Sequence, residues 1–386
     1  MNNKQLVKVP FVDLALQNQP LEKEIQQAIN RVIQAGDFVL GKALEEFEQS
    51  FAKACGVQYG VGVASGTDAI ALGLQACGIG AGDEVIVPVN TFMATIMGVI
   101  AAGATPILVD CDSQTALIDL GKAAQVITKK TKAILPVHLY GQMVSPKQLL
   151  DWADTYQLII FEDAAQAHLA ARESVGAGTI GMATAFSFYP SKNLGAYGNG
   201  GMLITQDEAI AQKVKTLRNY GAQSKYYHTE YGKNSRLDTI QAAILQVKLP
   251  HLSPWNQLRN QAAKEYDKHL KKLQGITLIE NSSGEGHVYH LYVIRIKENC
   301  AFKREQIRDK LTAVGVETGI HYPIPCHLQP ACKSLGYERG DFPQAESLCS
   351  EILSLPMYPG ITKNQIAFVC EQLSVINEQS KLVKYY

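Results

Sequence analysis

The feature that most constrains how this chain can fold is an alternation of two hydrophobic patterns, which begins after a helical segment at 20–35 ends at Gly36. Short, apolar, β-branched segments such as 134–137 and 158–161 alternate with longer segments of helical spacing, such as 91–103. Strands that are apolar throughout are typical of a sheet covered on both faces. Strands that alternate with helices imply right-handed crossovers. The sequence therefore predicts an α/β fold in which helices flank a mostly parallel sheet.

The pattern changes after about Pro250. The regular segments beyond that point are 255–273 (helical), 287–296 (alternating), 303–315 (helical) and 363–380 (helical). The alternation in HVYHLYVIRI, at 287–296, indicates a strand with one solvent-exposed face. We expect a large α/β domain over residues 1–250, including its N-terminal arm and helix, and a smaller C-terminal α+β domain over residues 251–386.

Composition narrows the classes of function. Of the 386 residues, 46% are hydrophobic and 19% are charged, which favours a large buried core over disorder. The 36 basic and 36 acidic residues balance, and binding to nucleic acid or to an anionic membrane surface needs a basic excess. The eight cysteines form no CxxC pair, and the histidine pairs lie in strand or proline-rich contexts, so we expect no metal site.

The amino-terminal stretch MNNKQLVKVPFVDL lacks the apolar run of a signal peptide. No segment reaches the roughly 20 uninterrupted apolar residues that span a bilayer. We therefore expect a cytoplasmic protein with no membrane partner.

Candidate functional residues lie where predicted strands end, which is where ligands collect on an open parallel sheet. The first is the strand-to-helix turn Ser65-Gly66-Thr67. Free N–H groups at a helix start attract phosphate, and glycine allows the backbone to approach closely. The alternative is an ordinary helix cap, which Ser or Thr alone would favour.

The second candidate is Asp163, which ends the strand LIIFED and is followed by Gln166 and His168. A carboxylate at a strand end can pair with a protonated ring nitrogen of a ligand. The alternative is again a helix cap, because the residues that follow Asp163, DAAQA, would open a helix well.

The third candidate is Lys192, in FSFYPSKNLGAYGNGG (186–201), with Ser187 in the same stretch. An apolar setting disfavours the ammonium form, lowers the pKa and leaves a free amine that can attack a carbonyl. The alternative is a surface lysine. The fourth candidate is Phe92, whose ring could stack on a flat ligand or could simply pack in the core.

Six motifs in one order carry a resemblance to a known family: SGTDA, P-x-NTF-x-AT, PVHLYG, EDAAQAH, FSFYPSKNLG and G-x-NSRLD-x-IQAAIL. Together they resemble the DegT/DnrJ/EryC1/StrS nucleotide-sugar aminotransferases, which are pyridoxal-phosphate enzymes of fold type I, like aspartate aminotransferase. The resemblance runs from residue 9 to about 362. No GxxxxGK[ST] phosphate loop is present, and the glycines of GIGAGDE precede a strand, so a dinucleotide site is not indicated.

The resemblance implies roles for the candidates toward pyridoxal 5′-phosphate. Lys192 would form the internal aldimine, and Asp163 would hold the pyridine nitrogen protonated, so that the ring is a good electron sink. Gln166 would lie near the 3-hydroxyl, and Phe92 would stack on the ring. The groups implied at the phosphate are the Gly66 and Thr67 amides, the Ser187 hydroxyl, and Asn234 of a neighbouring subunit in a homodimer.

The resemblance also implies the reaction. Glutamate would give its amino group to the cofactor, and a nucleotide-linked keto-sugar would then take it, in ping-pong order, with Lys192 moving the proton. The stretch GIHYPIPCHLQPAC looks more like members that aminate C3, with His321, Tyr322 and His327 as candidates for the sugar or its pyrophosphate. We therefore expect amination at C3 of a dTDP-3-keto-6-deoxyhexose.

Several alternatives stay open at this point. They are amination at C4, a UDP-3-keto sugar as substrate, a sugar dehydratase on the same cofactor, and a non-catalytic cofactor-binding regulator. Two positions depart from the family pattern: Leu169 stands where glycine is common, and Lys233 stands before Asn234, where an aromatic or small residue is frequent.

Overall fold

A seven-stranded sheet organises the first two-thirds of the chain, and a three-stranded sheet organises the last third. The computed structural model describes residues 8–297, 300 and 302–383. The strands are β1 (Tyr59–Val63), β2 (Glu84–Pro88), β3 (Thr105–Val109), β4 (Thr131–Ile134), β5 (Ile159–Asp163), β6 (Ala171–Arg172), β7 (Val175–Gly176), β8 (Ala183–Ser187), β9 (Gly201–Thr205), β10 (Ala222–Ser224), β11 (Tyr227–His228), β12 (Ile276–Leu278), β13 (Tyr292–Ile296) and β14 (Ile352–Leu355).

Helices connect and cover these strands. The α-helices are α1 (Leu14–Asn18), α2 (Glu22–Ala35), α3 (Lys42–Ala54), α4 (Gly66–Ala76), α5 (Met93–Ala101), α6 (Leu120–Gln125), α7 (Pro146–Tyr156), α8 (Glu208–Leu217), α9 (Thr239–Lys248), α10 (Leu252–Leu270), α11 (Arg304–Ala313), α12 (Pro343–Glu351) and α13 (Lys363–Val383). Short 3₁₀ helices occupy Gln19–Leu21, Leu139–Gly141, Leu249–His251, Gly284–Gly286, Cys326–Leu328 and Pro330–Leu335. None of the described helices is long and apolar enough to cross a bilayer.

The large sheet has the strand order β1-β9-β8-β5-β4-β2-β3. Neighbours from β8 to β3 are parallel, and β9 runs antiparallel to both β1 and β8. Its strands are buried almost throughout, as expected for a sheet with helices on both faces. The prediction of a mostly parallel sheet flanked by helices is confirmed.

The predicted first helix is present and ends where the sequence indicated. In α2, Ile25, Ala28 and Val32 are buried at helical spacing. Gly36 follows with φ of 70°, a left-handed conformation that glycine adopts without a steric penalty.

The parallel arrangement brings four loops to one edge of the large sheet. Strands β1, β2, β5 and β8 run in the same direction, so the segments that follow them lie at the same end. These segments begin at Ala64, Val89, Ala164 and Phe188, and together with the last residues of the strands they carry the four candidate features of the sequence analysis. The topology therefore gathers those candidates at the edge where ligands of open α/β sheets bind.

The C-terminal sheet has the antiparallel order β12-β13-β14. The prediction that its central strand has one exposed face is wrong, since all five residues of β13 are buried and the strand begins only at Tyr292. One face packs in a core with α10, α11 and α13, while Val293 on the other face joins the core of the large sheet. Arg295 is the polar residue of β13 that suggested an exposed face. Its Nε lies 2.7 Å from Oε2 of Glu351, so its charge is paired.

The amino-terminal residues reach across to the C-terminal core. Val9 is fully buried there and forms a parallel bridge with Val316. Residues 9 and 316 thus pack together although the sequence analysis assigned them to different domains. The domain boundary near residue 250 stays a prediction.

Candidate active site

A cavity of about 500 Å³ opens at the carboxyl edge of the large sheet. Most of the residues singled out from the sequence line it, and they come from both halves of the chain. The sequence-predicted residues in its wall are Gly66, Thr67, Phe92, Asp163, Gln166, Ser187, Lys192, His321 and Tyr322.

The amino terminus of α4 forms one end of the cavity. Ser65 caps the helix, because its Oγ accepts a hydrogen bond from the N–H of Asp68 at 3.1 Å. The first N–H groups of a helix have no acceptor within that helix, so the amides of Gly66 and Thr67 can bind an anion. A Cβ on Gly66 would lie 2.8 Å from Cβ of Ser187, so only glycine lets the serine come so close. The cap and the anion site thus coexist on one turn.

Asp163 lies at the end of β5, nearly buried, with a protein donor on each carboxylate oxygen. The N–H of Ala165 donates to Oδ1 at 3.0 Å, and the hydroxyl of Thr95 donates to Oδ2 at 2.8 Å. Burial raises the pKa of Asp163, and these donors together with the charge of Lys192 oppose that rise. The alternative of a helix cap is wrong, since residues 164–170 form turns and no helix.

Lys192 projects into the same cavity and is half-buried. Burial lowers the pKa of its amine from 10.5 to about 8, and the charge of Asp163 opposes that fall. A substantial fraction of this amine is therefore uncharged near pH 8 and able to act as a nucleophile or base. An ordinary surface lysine would show no such fall.

Gln166 is buried and held at both ends of its amide. Its Oε1 accepts from the backbone N–H of Tyr140 at 2.7 Å, and its Nε2 donates to the hydroxyl of Tyr322 at 3.1 Å. Because a backbone N–H can only donate, these contacts fix which amide atom is oxygen. Gln166 therefore presents N–H donors toward the cavity.

Phe92 is 54% exposed and forms part of the cavity wall, so the alternative of core packing is wrong. Its ring centroid lies 5.3 Å from that of Tyr322, which comes from the C-terminal third of the chain. Next to it, His321 stacks on Phe11 at 5.5 Å, and its Nδ1 lies 2.9 Å from Oγ of Ser354. Residues of the C-terminal third thus form part of the cavity wall.

Two predicted residues lie outside this cavity. His327 is buried behind the wall, where its Nε2 lies 3.1 Å from Oε1 of Glu346, and the structure gives no support to a contact with substrate. Asn234 is exposed and does not line the cavity of its own chain. Its neighbour Ser235 is buried and donates to Oδ2 of Asp68 at 2.8 Å, which holds Asn234 beside the amino terminus of α4.

His168, noted in the sequence beside Asp163, supports the cavity from behind. It is fully buried against the rings of Phe51, Phe186 and Phe188, and its Nε2 lies 2.9 Å from the carbonyl of Ser187. Burial lowers the pKa of His168 to about 3, so the ring is neutral and donates to that carbonyl. It holds Ser187 in place.

Sequence reasoning missed several residues in or beside the cavity, among them Thr95, Tyr140 and His290. Thr95 binds Asp163, Tyr140 binds Gln166, and His290 lines the cavity and lies 3.2 Å from Oδ1 of Asn193. Thr95 sits one helical turn after Thr91 in the motif NTFMAT, and that spacing was the available signal. The roles of Tyr140 and His290 depend on contacts between distant segments, which no local pattern reveals.

A model of the DegT/DnrJ/EryC1/StrS aminotransferase family matches residues 19–374. The chain belongs to this family. The resemblance stated from the six motifs is thereby confirmed.

Curated relatives match the aminotransferase over nearly its whole length. A protein of Aneurinibacillus thermoaerophilus named dTDP-3-amino-3,6-dideoxy-alpha-D-galactopyranose transaminase is 44% identical, covering 95% of this chain and 99% of its own. A protein of Geobacillus stearothermophilus named pleiotropic regulatory protein is 42% identical, covering 95% of this chain and 98% of its own.

Solved structures share the fold. DesV of S. venezuelae, in complex with a ketimine intermediate, has a TM-score of 0.92 at 42% identity, covering 96% of this chain and 99% of that one. NtdA of Bacillus subtilis, with bound cofactor PMP, has a TM-score of 0.89 at 34% identity, covering 98% of this chain and 87% of that one. The cofactor of this family of aminotransferases is pyridoxal 5′-phosphate, as predicted.

The cavity of this aminotransferase fits that cofactor. The α4 amides and Ser187 offer donors for a phosphate, and the close approach that Gly66 permits leaves no side chain in their way. Asp163 supplies a carboxylate, and Lys192 supplies an amine with a lowered pKa in the same cavity. The donor set is what a phosphorylated aldehyde with a basic ring nitrogen requires.

Leu169 and Lys233, the two departures from the family pattern, both lie outside the cavity lining. Leu169 has φ of 59°, a left-handed conformation that disfavours side chains, which explains why glycine is common there. Its side chain packs against the core that contains the aromatic cluster around His168. That burial offsets part of the backbone strain. The structure offers no account of Lys233.

Proposed function

We propose that this aminotransferase moves the amino group of glutamate to C3 of a dTDP-3-keto-6-deoxyhexose, which yields 2-oxoglutarate and a 3-amino sugar nucleotide. The observation that carries the proposal is the convergence of Lys192, Asp163, Gln166 and the α4 amino terminus on one cavity. Each of these groups alone has a structural explanation. Together they supply the separate contacts that amino transfer needs.

Bound pyridoxal 5′-phosphate supplies an electron sink that makes the Cα proton of an attached amino acid acidic. Lys192 is the group in the cavity suited to take that proton and to return it, because its amine has a pKa of about 8. Ideal catalytic bases have a pKa near the working pH, so burial tunes this amine for the task.

Asp163 would face the ring nitrogen. Its carboxylate already accepts from Ala165 and Thr95, and a third partner that carries a positive charge would stabilise the ionised form further. Gln166 would donate its Nε2 hydrogen to the 3-oxygen, because Tyr140 fixes the orientation of the amide. Phe92, exposed on the cavity wall, would cover the ring face.

The sugar would meet the part of the cavity wall formed by His321 and Tyr322, next to Gln166 and Phe92. The preference for C3 and for a dTDP sugar rests on the stretch GIHYPIPCHLQPAC and on the name of the Aneurinibacillus relative. Amination at C4 and a UDP-3-keto substrate are the alternatives within the same activity. Burial lowers the pKa of His321 to about 4, so at neutral pH it would offer a neutral ring to the ligand.

A non-catalytic, cofactor-binding regulator is the second candidate, favoured by the name of the Geobacillus relative. The retained amine of Lys192 and its lowered pKa support catalysis instead, since binding alone needs no basic amine near neutral pH. A dehydratase on the same cofactor is also opposed by Lys192, because histidine takes the lysine position in the dehydratases that resemble this family.

We further propose that the active site is shared between two copies of the chain. Asn234 is exposed, lies outside the cavity of its own chain and is anchored through Ser235. From that position it would reach the phosphate in the cavity of a second copy, as the resemblance implies. Tyr226, Tyr227 and Tyr231 are exposed in the same segment, and such rings are typical of a protein interface.

The test is a product analysis. The cofactor-loaded protein is incubated with glutamate and, in turn, a dTDP-3-keto-6-deoxyhexose, the 4-keto isomer and a UDP-3-keto sugar, and products are read by mass and NMR. A new C3 amine from the first substrate supports the proposal, with Lys192→Ala as the inactive control. An amine at C4 or only on the UDP sugar selects those alternatives. Loss of a hydroxyl without gain of nitrogen indicates a dehydratase, and no product from any sugar or donor favours the regulator.

A further inference from the structure

We propose that Tyr140 is a positioning residue that holds the sugar-facing segment 321–322 against Gln166 and Phe92, two of the residues proposed to meet the cofactor. The inference rests on the proposed function, in which His321 and Tyr322 meet the sugar. Tyr140 itself belongs to the 3₁₀ helix Leu139–Gly141 and is 1% exposed. It acts through its neighbours and touches neither substrate nor reacting atoms.

The side chain of Tyr140 binds the C-terminal third of the chain directly. Its hydroxyl donates to the backbone carbonyl of His321 at 2.7 Å, across 181 positions of sequence. Burial raises the pKa of Tyr140 well above its usual value of 10, so the hydroxyl stays protonated and remains a donor. The segment 321–322 is therefore held from the side of the large sheet.

The backbone of Tyr140 binds Gln166 at the same time. Its N–H donates to Oε1 of Gln166 at 2.7 Å, and Nε2 of Gln166 donates to the hydroxyl of Tyr322 at 3.1 Å. The contacts of Tyr140, Gln166 and the segment 321–322 form a closed ring of three hydrogen bonds. One residue thus orients the amide beside the cofactor and the loop beside the sugar.

The conformation of Tyr140 fits a residue held for such a purpose. Its φ is 61°, a left-handed value that is unfavourable in a residue other than glycine. The following Gly141 has φ of 103°, and its carbonyl accepts from the N–H of Val288 at 2.8 Å. The turn is therefore pinned from the C-terminal third as well, and the strain places both hydrogen-bonding groups of Tyr140 at the site.

When the cofactor is bound, the hydroxyl of Tyr140 becomes the main contact that holds the segment 321–322. If Gln166 turns its donor to the 3-oxygen of the cofactor, the hydroxyl of Tyr322 loses or shares that hydrogen bond. The contact between Tyr140 and the carbonyl of His321 then remains to hold the segment. Removing the Tyr140 hydroxyl should loosen the segment 321–322. The backbone hydrogen bond from Tyr140 to Gln166 should stay intact.

The test compares Tyr140→Phe with Tyr266→Phe. Tyr266 is a matched control, because it is also fully buried and its hydroxyl donates to a backbone carbonyl, that of Pro356, at 2.9 Å. Each variant loses the hydrogen bond from a buried hydroxyl to a backbone carbonyl. A purely structural role for Tyr140 predicts that the two variants behave alike.

Two readouts decide the proposal. In the cofactor-free chain, hydrogen exchange at the amides of residues 320–322 should be about 3- to 10-fold faster in Tyr140→Phe than in Tyr266→Phe, the effect of one hydrogen bond. In the loaded enzyme, KM for the keto-sugar should rise by a similar factor in Tyr140→Phe alone, with the glutamate half-reaction unchanged. Exchange that matches the control, or a KM for the sugar within twofold of the parent, overturns the proposal.

Failure of the proposed function is recognised separately. If the parent chain transfers no amino group to any keto-sugar, the proposed function fails whatever the variants do. Exchange at residues 320–322 in the cofactor-free variants then decides by itself whether Tyr140 holds the segment.

Discussion

The hydroxyl of Thr95 donates to Oδ2 of Asp163 at 2.8 Å, and this hydroxyl lies 2.8 Å from that of Thr91. Because Thr95 donates its hydroxyl hydrogen to the carboxylate, the hydroxyl of Thr91 must donate to that of Thr95. Both threonines are buried, and the low dielectric of the interior strengthens the hydrogen bonds that these two hydroxyls make. It stabilises the ionised form of a carboxyl group whose pKa burial raises.

Replacing Thr95 tests this relationship. Thr95→Val should raise the pKa of Asp163 further, because one donor to the carboxylate is lost. The acidic limb of the kcat–pH profile should move up by about 1–2 pH units, since a hydrogen bond to a charged group contributes about 1.5–3 kcal/mol. Thr95→Ser keeps the hydroxyl and should restore the profile. A limb that stays in place in the valine variant would show that Thr95 does not tune Asp163.

Asp163→Asn should bind the cofactor but react slowly. The α4 amides and Lys192, which line the same cavity, would still hold the cofactor, whereas the carboxylate proposed to face the ring nitrogen would be gone. We expect the half-reaction with glutamate to slow by about 10²- to 10³-fold, the usual effect of removing one electrostatic contact from a transition state. Stopped-flow absorbance in single turnover measures it. An unchanged rate would mean that Asp163 only organises the turn at Ala165.

The stability of the cofactor-free chain should depend on pH through Lys192. Its pKa is about 8 when folded and about 10.5 when unfolded, so the folded state binds fewer protons between these values. Stability should therefore rise with pH over that window, and the full cost of burying the charge is present below pH 8. That cost is at most about 3 kcal/mol, and less for a half-buried side chain.

Lys192→Met removes the charge and tests this expectation. The variant should be more stable than the parent by about 1–3 kcal/mol at pH 7, with the difference shrinking toward pH 10.5. Urea unfolding of both cofactor-free chains across this range measures it. Lys129→Met, at an exposed lysine, is the control and should give no such difference. Equal stability of Lys192→Met and the parent at pH 7 would contradict the lowered pKa.

The shared active site can be tested by complementation. Asn234→Ala should weaken cofactor retention, and Lys192→Ala should lose turnover by at least about 10³-fold. Mixing the two variants should restore part of the activity, because some hybrid dimers contain one cavity with both residues intact. Each variant incubated alone is the control. Activity of the mixture no greater than the sum of the two variants would place Asn234 outside the partner's site.

Much of the large sheet was predictable because its signals are local. A strand buried on both faces must be apolar throughout, and a ligand loop at its end needs small or polar residues. Ser65–Thr67, Asp163 and Lys192 could be found in this way. That they share one cavity follows from the parallel order of their strands.

The errors came where tertiary contacts override local preference. The stretch DAAQA alone favours a helix that begins after Asp163. In the structure the carboxylate of Asp163 accepts hydrogen bonds from Ala165 and Thr95, and the chain forms turns instead. The alternation at 287–296 suggested an exposed face, but Arg295 is buried because Glu351 satisfies its charge. Tyr140 gave no local signal, since its partner His321 lies 181 positions away.

The two sides of the cavity are encoded far apart in the chain. Those residues in the cavity wall that are proposed to meet the coenzyme all precede residue 202, whereas His290, His321 and Tyr322 line the cavity from the C-terminal third. On the proposed function, the later segment can therefore change and admit a different sugar while Lys192 and Asp163 stay the same. The stretch 319–329 would then be the natural unit to exchange between relatives when a different amino sugar is wanted.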